Sequence, residues 1–463
     1  MDISNYIYNL PISGRNIIYS PLSDTSAFVN ESAVEGLKRL STKELSVRKT
    51  IESLTDLFNR IQTVKKKPEK REGEINPEFL GIIPTRSCNG ACNYCDFGAQ
   101  SAASQIMSLD IAVKAVDWFT EIIKARKRES LDIHFFGGEP TTAMDVVETV
   151  VHRARYNAAE KNLIPYFEIL TNGQFTEEVV LFLGDYFNSV ILSLDGFEEI
   201  QNFHRPLKNG KGSFDNAVKN AKLISESNAQ LNIRACISRM NVELMDQIAS
   251  WFCTEFSPSA INFEVLQETP DTSKKGLFAP DPYKFAEGII KSKRICDSNG
   301  VSFIYSTDIS NKLRSSSCPV GMDAAIISPN GIISNCYLTP ENWINAGLEL
   351  NFGSINNDKN VSLENKSLDE IRNILSNKPR CKNCFCRWSC AGGCHVRNTY
   401  PGCDSTYNDY CIQTRIISAC SLLSGLGLDN EVDTFIKDEK AMKELALQSS
   451  DLLFDNKRHD ELK

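Results

Sequence analysis

Hydrophobic and polar positions fall into three regimes along the chain. The first pieces, "YIYNL", "NIIYSPL" and "SAFVN", are short apolar runs punctuated by Pro, Gly, Asn and Asp, and they predict three strands. Two helical stretches follow, from about Glu31 to Gln62, and then the charged run "KKKPEKREGE" (Lys65 to Glu74), which predicts a solvated linker. From Phe79 the pattern becomes regular. Strand-like runs recur at "FLGIIPT", "LDIHFF", "YFEIL", "SVILSL", "LNIRACI", "INFEV" and "VSFIY". Between them lie helical patterns, among them Leu109 to Ala125, Ala143 to Lys161, Phe214 to Ser227 and Pro282 to Asp297. Strand–helix alternation at this spacing predicts an α/β class built from parallel βα units. From about Asn311 cysteines and glycines replace the alternation, with one helical piece near Ser367 to Leu375. The segment after Gly427 has the pattern of a charged helix and a frayed tail. The expected divisions are residues 1–64, a linker at 65–78, then 79–310, 311–427 and 428–463.

Composition narrows the class. At 463 residues and 41% apolar, the chain has material for about two or three domains. No run approaches the ~20 apolar residues of a membrane span. The opening "MDISNYIYNLPISG" lacks the basic start and apolar core of a signal peptide, so a cytoplasmic protein without membrane association is expected. A net charge of -8 gives no electrostatic footprint for nucleic acid. The 16 cysteines change the picture most. In a reducing compartment they point to metal rather than disulfides, and with 5 histidines the supply favours all-thiolate iron–sulfur sites over mixed zinc sites.

Cys88, Cys92 and Cys95 form a C-x3-C-x2-C run directly after the strand "FLGIIPT", at the carboxyl end where βα folds place chemistry. Three thiolates can hold three irons of a [4Fe–4S] cube and leave the fourth open. Zinc stays possible if His134 arrives from the next strand. "HFFGGEPT" ends that strand with Gly137, Gly138, Glu139 and Pro140; adjacent glycines allow close backbone approach and a carboxylate pairs with an ammonium. Thr171 and Asn172 end the third strand. Ser193 and Asp195 end the fourth, two apart and so on one face, with groups suited to ribose and adenosine hydroxyls. Arg205 and Arg234 are further candidates, Arg234 for a carboxylate.

The cysteine spacing, Tyr94 before the third cysteine, and the GGEP-like turn in this order resemble the radical S-adenosylmethionine (SAM) superfamily. The resemblance implies a partial (βα)6 TIM-like barrel with a small α+β N-terminal domain. It also implies SAM at the open iron, its amino group held by the GGEP-like motif, and one-electron cleavage to a 5′-deoxyadenosyl radical that abstracts hydrogen.

Cys318, Gly331, Cys336 and "CKNCFCRWSCAGGC", which holds Cys381, Cys384, Cys390 and Cys394 in a C-x2-C-x5-C-x3-C run, are followed by Cys411. This resembles the SPASM extension, a cysteine-rich C-terminal domain with two auxiliary [4Fe–4S] clusters, making three clusters in all. The resemblance assigns Cys318, Cys336 and Cys394 to the cluster nearer the barrel, and Cys381, Cys384, Cys390 and Cys411 to the distal one. The family often has one more cysteine before the position of Cys318, where this chain reads "STDISNKLRSSSC". The nearer cluster therefore has either an open iron or a ligand from Cys386 or Cys403. Cys236, Cys253, Cys296 and Cys420 are expected as ordinary buried side chains.

Proteins of similar pattern include peptide-modifying maturases and anaerobic sulfatase-maturing enzymes. The latter carry an Asp after the cysteine matching Cys336, where this chain has Tyr337. Glu264, Glu268, Asp323 and Tyr337 are the candidate acid–base groups. The N-terminal unit resembles the winged-helix-like leader-binding domain of peptide maturases, whose strand edge captures a peptide by strand addition. The expected activity is thus an oxidoreductase that installs a thioether or other crosslink in a precursor peptide with a leader, served by a flavodoxin- or ferredoxin-like electron donor. The alternatives are a formylglycine-forming sulfatase maturase, a small-metabolite dehydrogenase, and a non-enzymatic iron–sulfur carrier.

Overall fold

The computed structural model describes residues 6–42, 52–68, 73, 75–97, 105–307, 313–318, 324–355, 361–363, 372, 378–396, 407–448 and 450–454. Asp323, Cys403 and all of the stretch 367–375 except Arg372 lie outside them.

At the N-terminus β1 (Tyr8–Ile12), β2 (Arg15–Ser20) and β3 (Thr25–Val29) form an antiparallel meander. Ser13 and Gly14 both take positive φ between β1 and β2, the geometry of a two-residue hairpin turn whose twist matches its strands. The helix Glu31–Ser41 starts where the Asn30 side chain accepts the Ala33 N–H, and it buries Val34, Leu37 and Leu40. With Leu57 and Ile61 of the helix Glu52–Gln62, Val34 and Leu37 pack on Ile7 and Ile18.

Seven parallel strands follow, each hydrogen-bonded to the next in sequence: β4 (Phe79–Ile82), β5 (Ser130–Phe135), β6 (Ile164–Thr171), β7 (Ser189–Ser193), β8 (Gln230–Ile237), β9 (Ala260–Val265) and β10 (Ser302–Ile304). Six βα repeats thus end in an extra short strand. Helices between them include Leu109–Ala125, capped by Ser108, and Pro282–Ser298, capped by Asp281 with Pro at its start. Helices Met144–Lys161, Glu177–Tyr186, Glu198–His204, Phe214–Ser225 and Met245–Phe256 complete the repeats, and their apolar faces join the barrel core.

β4 is flanked on its outer edge by β11 (Ala324–Ile327), not by β10, so the barrel is open. The sheet continues antiparallel through β12 (Ile332–Ser334), β13 (Asn351–Ile355) and β14 (Val361–Leu363). The cysteine-rich region therefore extends the barrel sheet across the expected division at residue 310. Its strands are too short to show a period in sequence.

Past Gly427 the described residues hold more than the one expected helix, and residues 455–463 of the expected frayed tail lie outside them. After the helix Asp409–Gly425 come Asp429–Phe435 and Glu439–Leu447, and then β15 (Asp451–Leu452) pairs antiparallel with β1. Leu453 and Phe454 are buried in the N-terminal core beside Ile7, Ile18 and Ile61. Apolar burial holds this segment.

Candidate active site

β4 delivers the cysteine loop to the carboxyl rim of the barrel. Cys88, Cys92 and Cys95 line one cavity there with Gly137, Gly138, Glu139, Thr171, Asn172, Ser193, Arg205 and Arg234. Sheet register explains the assembly: Ser193 stands opposite Arg234 across β7 and β8, and Cys236 opposite Glu264 across β8 and β9. Gly138 is required by contact, since a Cβ there would stand 2.0 Å from the Ser87 carbonyl oxygen and 2.4 Å from that of Arg86.

The donor set fits a three-thiolate cradle. A Cβ placed on Gly90 would meet Cys88 Sγ at 3.5 Å and Cys92 Sγ at 3.7 Å, so both sulfurs border one small space that glycine leaves clear. Burial and nearby Glu139 push the Cys88 thiol up to about 12, and burial raises Cys92 against the pull of Arg205. A metal centre must displace those protons. Among the described residues no three His, Cys, Asp or Glu side chains converge as a single ion requires, whereas a cluster spreads its thiolates over several irons. His134 supplies no fourth zinc ligand here: it stacks on Phe79 and its Nδ1 lies 3.7 Å from Glu168.

Two rim carboxylates have protein partners that the sequence did not reveal. Glu139 is buried; its Oε1 accepts hydrogen bonds from the Thr171 hydroxyl at 2.7 Å and from Thr141, and its Oε2 accepts the Asn172 N–H at 2.7 Å. It ties the GGEP turn to the end of β6, while Pro140 starts the short helix that follows. Burial pushes its carboxyl up, opposed by those donors.

Asp195, expected at the ribose, is fully buried and lies outside the cavity lining. Its Oδ2 accepts from Tyr94 Oη at 2.6 Å and Arg205 Nε at 3.2 Å and faces His204 Nδ1 at 3.2 Å; its Oδ1 accepts the Cys236 N–H at 2.9 Å. Burial would raise this carboxyl, but Arg205 and His204 hold it at about 2. Asp195 is the anchor that fixes Tyr94, and with it the cysteine loop, to β7 and β8.

Of the three acid–base candidates among the described residues, only Glu264 lines the cavity. Glu268 is exposed and accepts the Ala279 N–H at 2.8 Å. Tyr337 lies deeper: its ring is 4.8 Å from Phe136, and its hydroxyl sits where a Cβ on Gly81 would be 2.6 Å away. Burial pushes its phenol far up, which suits packing rather than proton transfer. Cys236, expected as an ordinary buried thiol, lines the cavity instead. The signal was present, because Cys236 is two residues beyond Arg234 on β8 and shares its face.

In the second cysteine field, Cys318 and Cys336 pack with Phe97 and Val396 around Trp343, and the Ser317 hydroxyl donates to the Gly393 carbonyl at 2.7 Å, one residue before Cys394. Cys394 also stands within the field of Lys378, as do Cys381 and Cys390. Phe97 also lines the first cavity, so this group is its neighbour. Cys390 feels the charges of Cys411, Cys384 and Cys381, and all four stand within the field of Lys378, Arg380 or Arg415. Thiols ringed by cations suit an anionic cluster. Cys386 belongs beside Cys384, near Ser418 and Tyr19, so it is not positioned as the missing ligand of the nearer group. Cys253 and Cys296 are buried with sulfurs 3.9 Å apart, and Cys420 is buried in the helix Asp409–Gly425.

Residues 82–247 match the Radical SAM superfamily. A cysteine-type anaerobic sulfatase-maturating enzyme of Clostridium novyi (strain NT) is 25% identical over 354 residues, covering 71% of this chain and 90% of that one. The radical SAM cyclopropyl synthase TigE of Paramaledivibacter caminithermalis is 26% identical over 220 residues, 44% of this chain and 45% of that enzyme's length. The solved structure of native anSMEcpe with bound AdoMet and Cp18Cys peptide superposes with a TM-score of 0.56 at 21% identity, over 77% of this chain and 99% of that one. The chain is a radical SAM superfamily enzyme of the oxidoreductase type with a cysteine-rich C-terminal region. It is related to peptide-modifying maturases and to anaerobic sulfatase-maturing enzymes.

Proposed function

We propose that this enzyme cleaves SAM at Cys88, Cys92 and Cys95 and removes hydrogen from a side chain of a polypeptide substrate lodged between the barrel mouth and the cysteine-rich region. The observation that carries this reading is the single cavity in which the three cysteines and the GGEP turn face Arg234, Cys236 and Glu264. When bound, the cluster and SAM supply the 5′-deoxyadenosyl radical. The chain's own residues do the positioning. Glu139 and Asn172 fix the rim, Arg205 and Arg234 bring positive charge to the SAM carboxylate, and Phe97 and Phe136 close the apolar side. Glu264 is the group to take a proton. The seven C-terminal-region cysteines Cys318, Cys336, Cys394, Cys381, Cys384, Cys390 and Cys411 would hold two auxiliary clusters, making three in all, whose chemistry when bound would be that of an electron acceptor.

Two products fit. Oxidation of a cysteine or serine side chain to formylglycine has the broader support, because a sulfatase-maturating relative matches 71% of this chain. A thioether or other crosslink in a leader-bearing peptide is supported by the N-terminal sheet: β15 pairs with Tyr8 and Asn9 of β1, and at the opposite side β3 is an edge strand that suits strand addition. A flavodoxin- or ferredoxin-like protein is the proposed electron donor.

Anaerobic reconstitution tests the core of this reading. About twelve irons per chain are expected from three cubes, with reductant-dependent formation of 5′-deoxyadenosine that is lost when Cys88, Cys92 and Cys95 are all changed to Ala. Nucleoside formed regardless of that change sinks the assignment. Mass loss of two hydrogens with a crosslink, against aldehyde formation, separates the two products.

A further inference from the structure

Arg415, on the helix Asp409–Gly425, is 2% exposed. Its Nη1 donates to Cys384 Sγ at 3.3 Å and to Ser450 Oγ at 3.2 Å. Its Nη2 donates to the carbonyls of Leu445 at 2.7 Å and Gln448 at 2.6 Å, and Nε also reaches Leu445. The guanidinium lies 4.3 Å from the Tyr407 ring centroid and 5.0 Å from that of Phe385. Among the described residues none of these partners is a carboxylate. A buried guanidinium facing only neutral acceptors is strongly disfavoured, so the site calls for an anion at Cys384.

The same side chain continues mechanically to the chain end. Ser450 donates its N–H to the Asn383 carbonyl at 3.1 Å, and its hydroxyl accepts the Phe385 N–H at 3.2 Å, which seats it on the Cys381–Cys384 loop. The next residues are β15, the strand added to β1.

We propose that Arg415 is a positioning residue for the distal cluster. It supplies the buried counter-charge and a hydrogen bond to the Cys384 thiolate, and through Gln448 and Ser450 it makes the docking of β15 on the N-terminal sheet depend on the cluster being present. A donor to a ligating sulfur favours the more negative, reduced cluster and so raises its potential. This rests on the assignment of Cys381, Cys384, Cys390 and Cys411 as a cluster site.

The test uses the full iron-loaded chain, the variants Arg415→Gln and Arg415→Lys, and a distal-site variant that combines Cys381→Ala, Cys390→Ala and Cys411→Ala, since three thiolates alone can still hold a cube. Reduction potentials are followed by EPR, with the distal signal identified by its loss in the combined cysteine variant. Amide exchange is read at Tyr8–Ile12 and Asp451–Leu452. Arg415→Gln should keep its iron, shift the distal potential negative and speed exchange at both strands at least tenfold. Arg415→Lys should restore most of the potential but little of the protection. Iron removal from the wild type should speed the same exchange, a comparison that stands even if Arg415→Gln fails to fold. Equal protection with and without iron overturns the proposal. So do an unchanged potential and unchanged exchange in iron-replete Arg415→Gln while the combined cysteine variant loses about four irons. Full iron retention by the combined cysteine variant overturns the cluster assignment itself and this proposal with it.

Discussion

Asp195 illustrates how one residue's role depends on which way its neighbours face. Period two puts it on the Ser193 face of an ideal strand, but β7 ends at Ser193 and the chain turns there, burying Asp195 among Tyr94, His204 and Arg205. Its folded-state carboxyl is held at about 2. Its stabilisation is therefore fully present above the unfolded value of about 3.9 and is lost as pH falls toward 2, amounting to about 2 kcal/mol at neutral pH. Asp195→Asn should lose at least that much in denaturant unfolding at pH 7. The gap from wild type should close in acid titration followed by circular dichroism between about pH 4 and pH 2; a gap constant with pH would show that the charge is not the stabilising feature. Glu264 and Tyr337 offer a sharper functional contrast. Glu264→Gln should preserve 5′-deoxyadenosine formation while product falls by roughly 10²-fold or more, the usual effect of removing a positioned base. Tyr337→Phe should change product formation little, because its hydroxyl lies over Gly81 beneath Phe136. Equal losses in both would point away from Glu264 as the base.

Among elements, the parallel strands were legible because one face of each packs in the core and alternates with a less buried face, as in β5, β6 and β8, and these short alternating runs stand out between helical periods. β4 to β9 lie within or overlap the runs that predicted them, and the helix Leu109–Ala125 begins and ends at the expected residues. The cysteine nest and the GGEP turn were legible for a chemical reason: their spacing is set by a cofactor's shape. β11 to β15 were not, since strands of 2 to 5 residues carry no measurable period and their pairing is decided by distant segments. Nor could spacing show that Glu139 spends its oxygens on Thr141, Thr171 and Asn172, or that Tyr337 fills the space left by Gly81. The element most sensitive to a single methyl is the turn after β5. Gly138→Ala drives a Cβ into the backbone carbonyls of Arg86 and Ser87, which cannot yield as a flexible side chain would. Overpacking of this kind costs about 1–3 kcal/mol, and the loop that moves is the one carrying Cys88. The variant should show a lower thermal midpoint and an iron content reduced by up to about four per chain, the complement of one cube, measured by iron analysis against the wild type. Full iron content with unaltered SAM cleavage would show that the loop tolerates the shift.

Across the whole molecule, the N-terminal sheet is clamped rather than tethered. Leu22 packs with Cys381, Trp388 and Leu313, and Tyr6 meets the Trp388 ring edge-on at 5.4 Å. From the other side the chain end returns as β15, followed by Leu453 at 1% exposure and Phe454, whose ring stands edge-on to Phe58 at 6.0 Å. These two contacts act together with Tyr8, Leu10, Ile12, Ile17 and Tyr19, which join the same core as the barrel strands. Leu453→Ala should remove about 2–5 kcal/mol from the N-terminal unit, as expected for a buried leucine in a packed core. Leu453 sits in the smaller cluster on one face of the N-terminal sheet, while Tyr8, Leu10, Ile12, Ile17 and Tyr19 join the barrel core, so the loss should be greatest around Leu453: earlier proteolysis and faster exchange across Tyr8–Val29, with SAM cleavage retained. If peptide capture uses the β3 edge, the same variant should raise the KM for a leader-bearing substrate while leaving the rate with a short leaderless peptide unchanged. An equal fall in both rates would mean that the clamp acts on the catalytic site itself, and that the N-terminal sheet is a structural wall of the barrel rather than a docking platform.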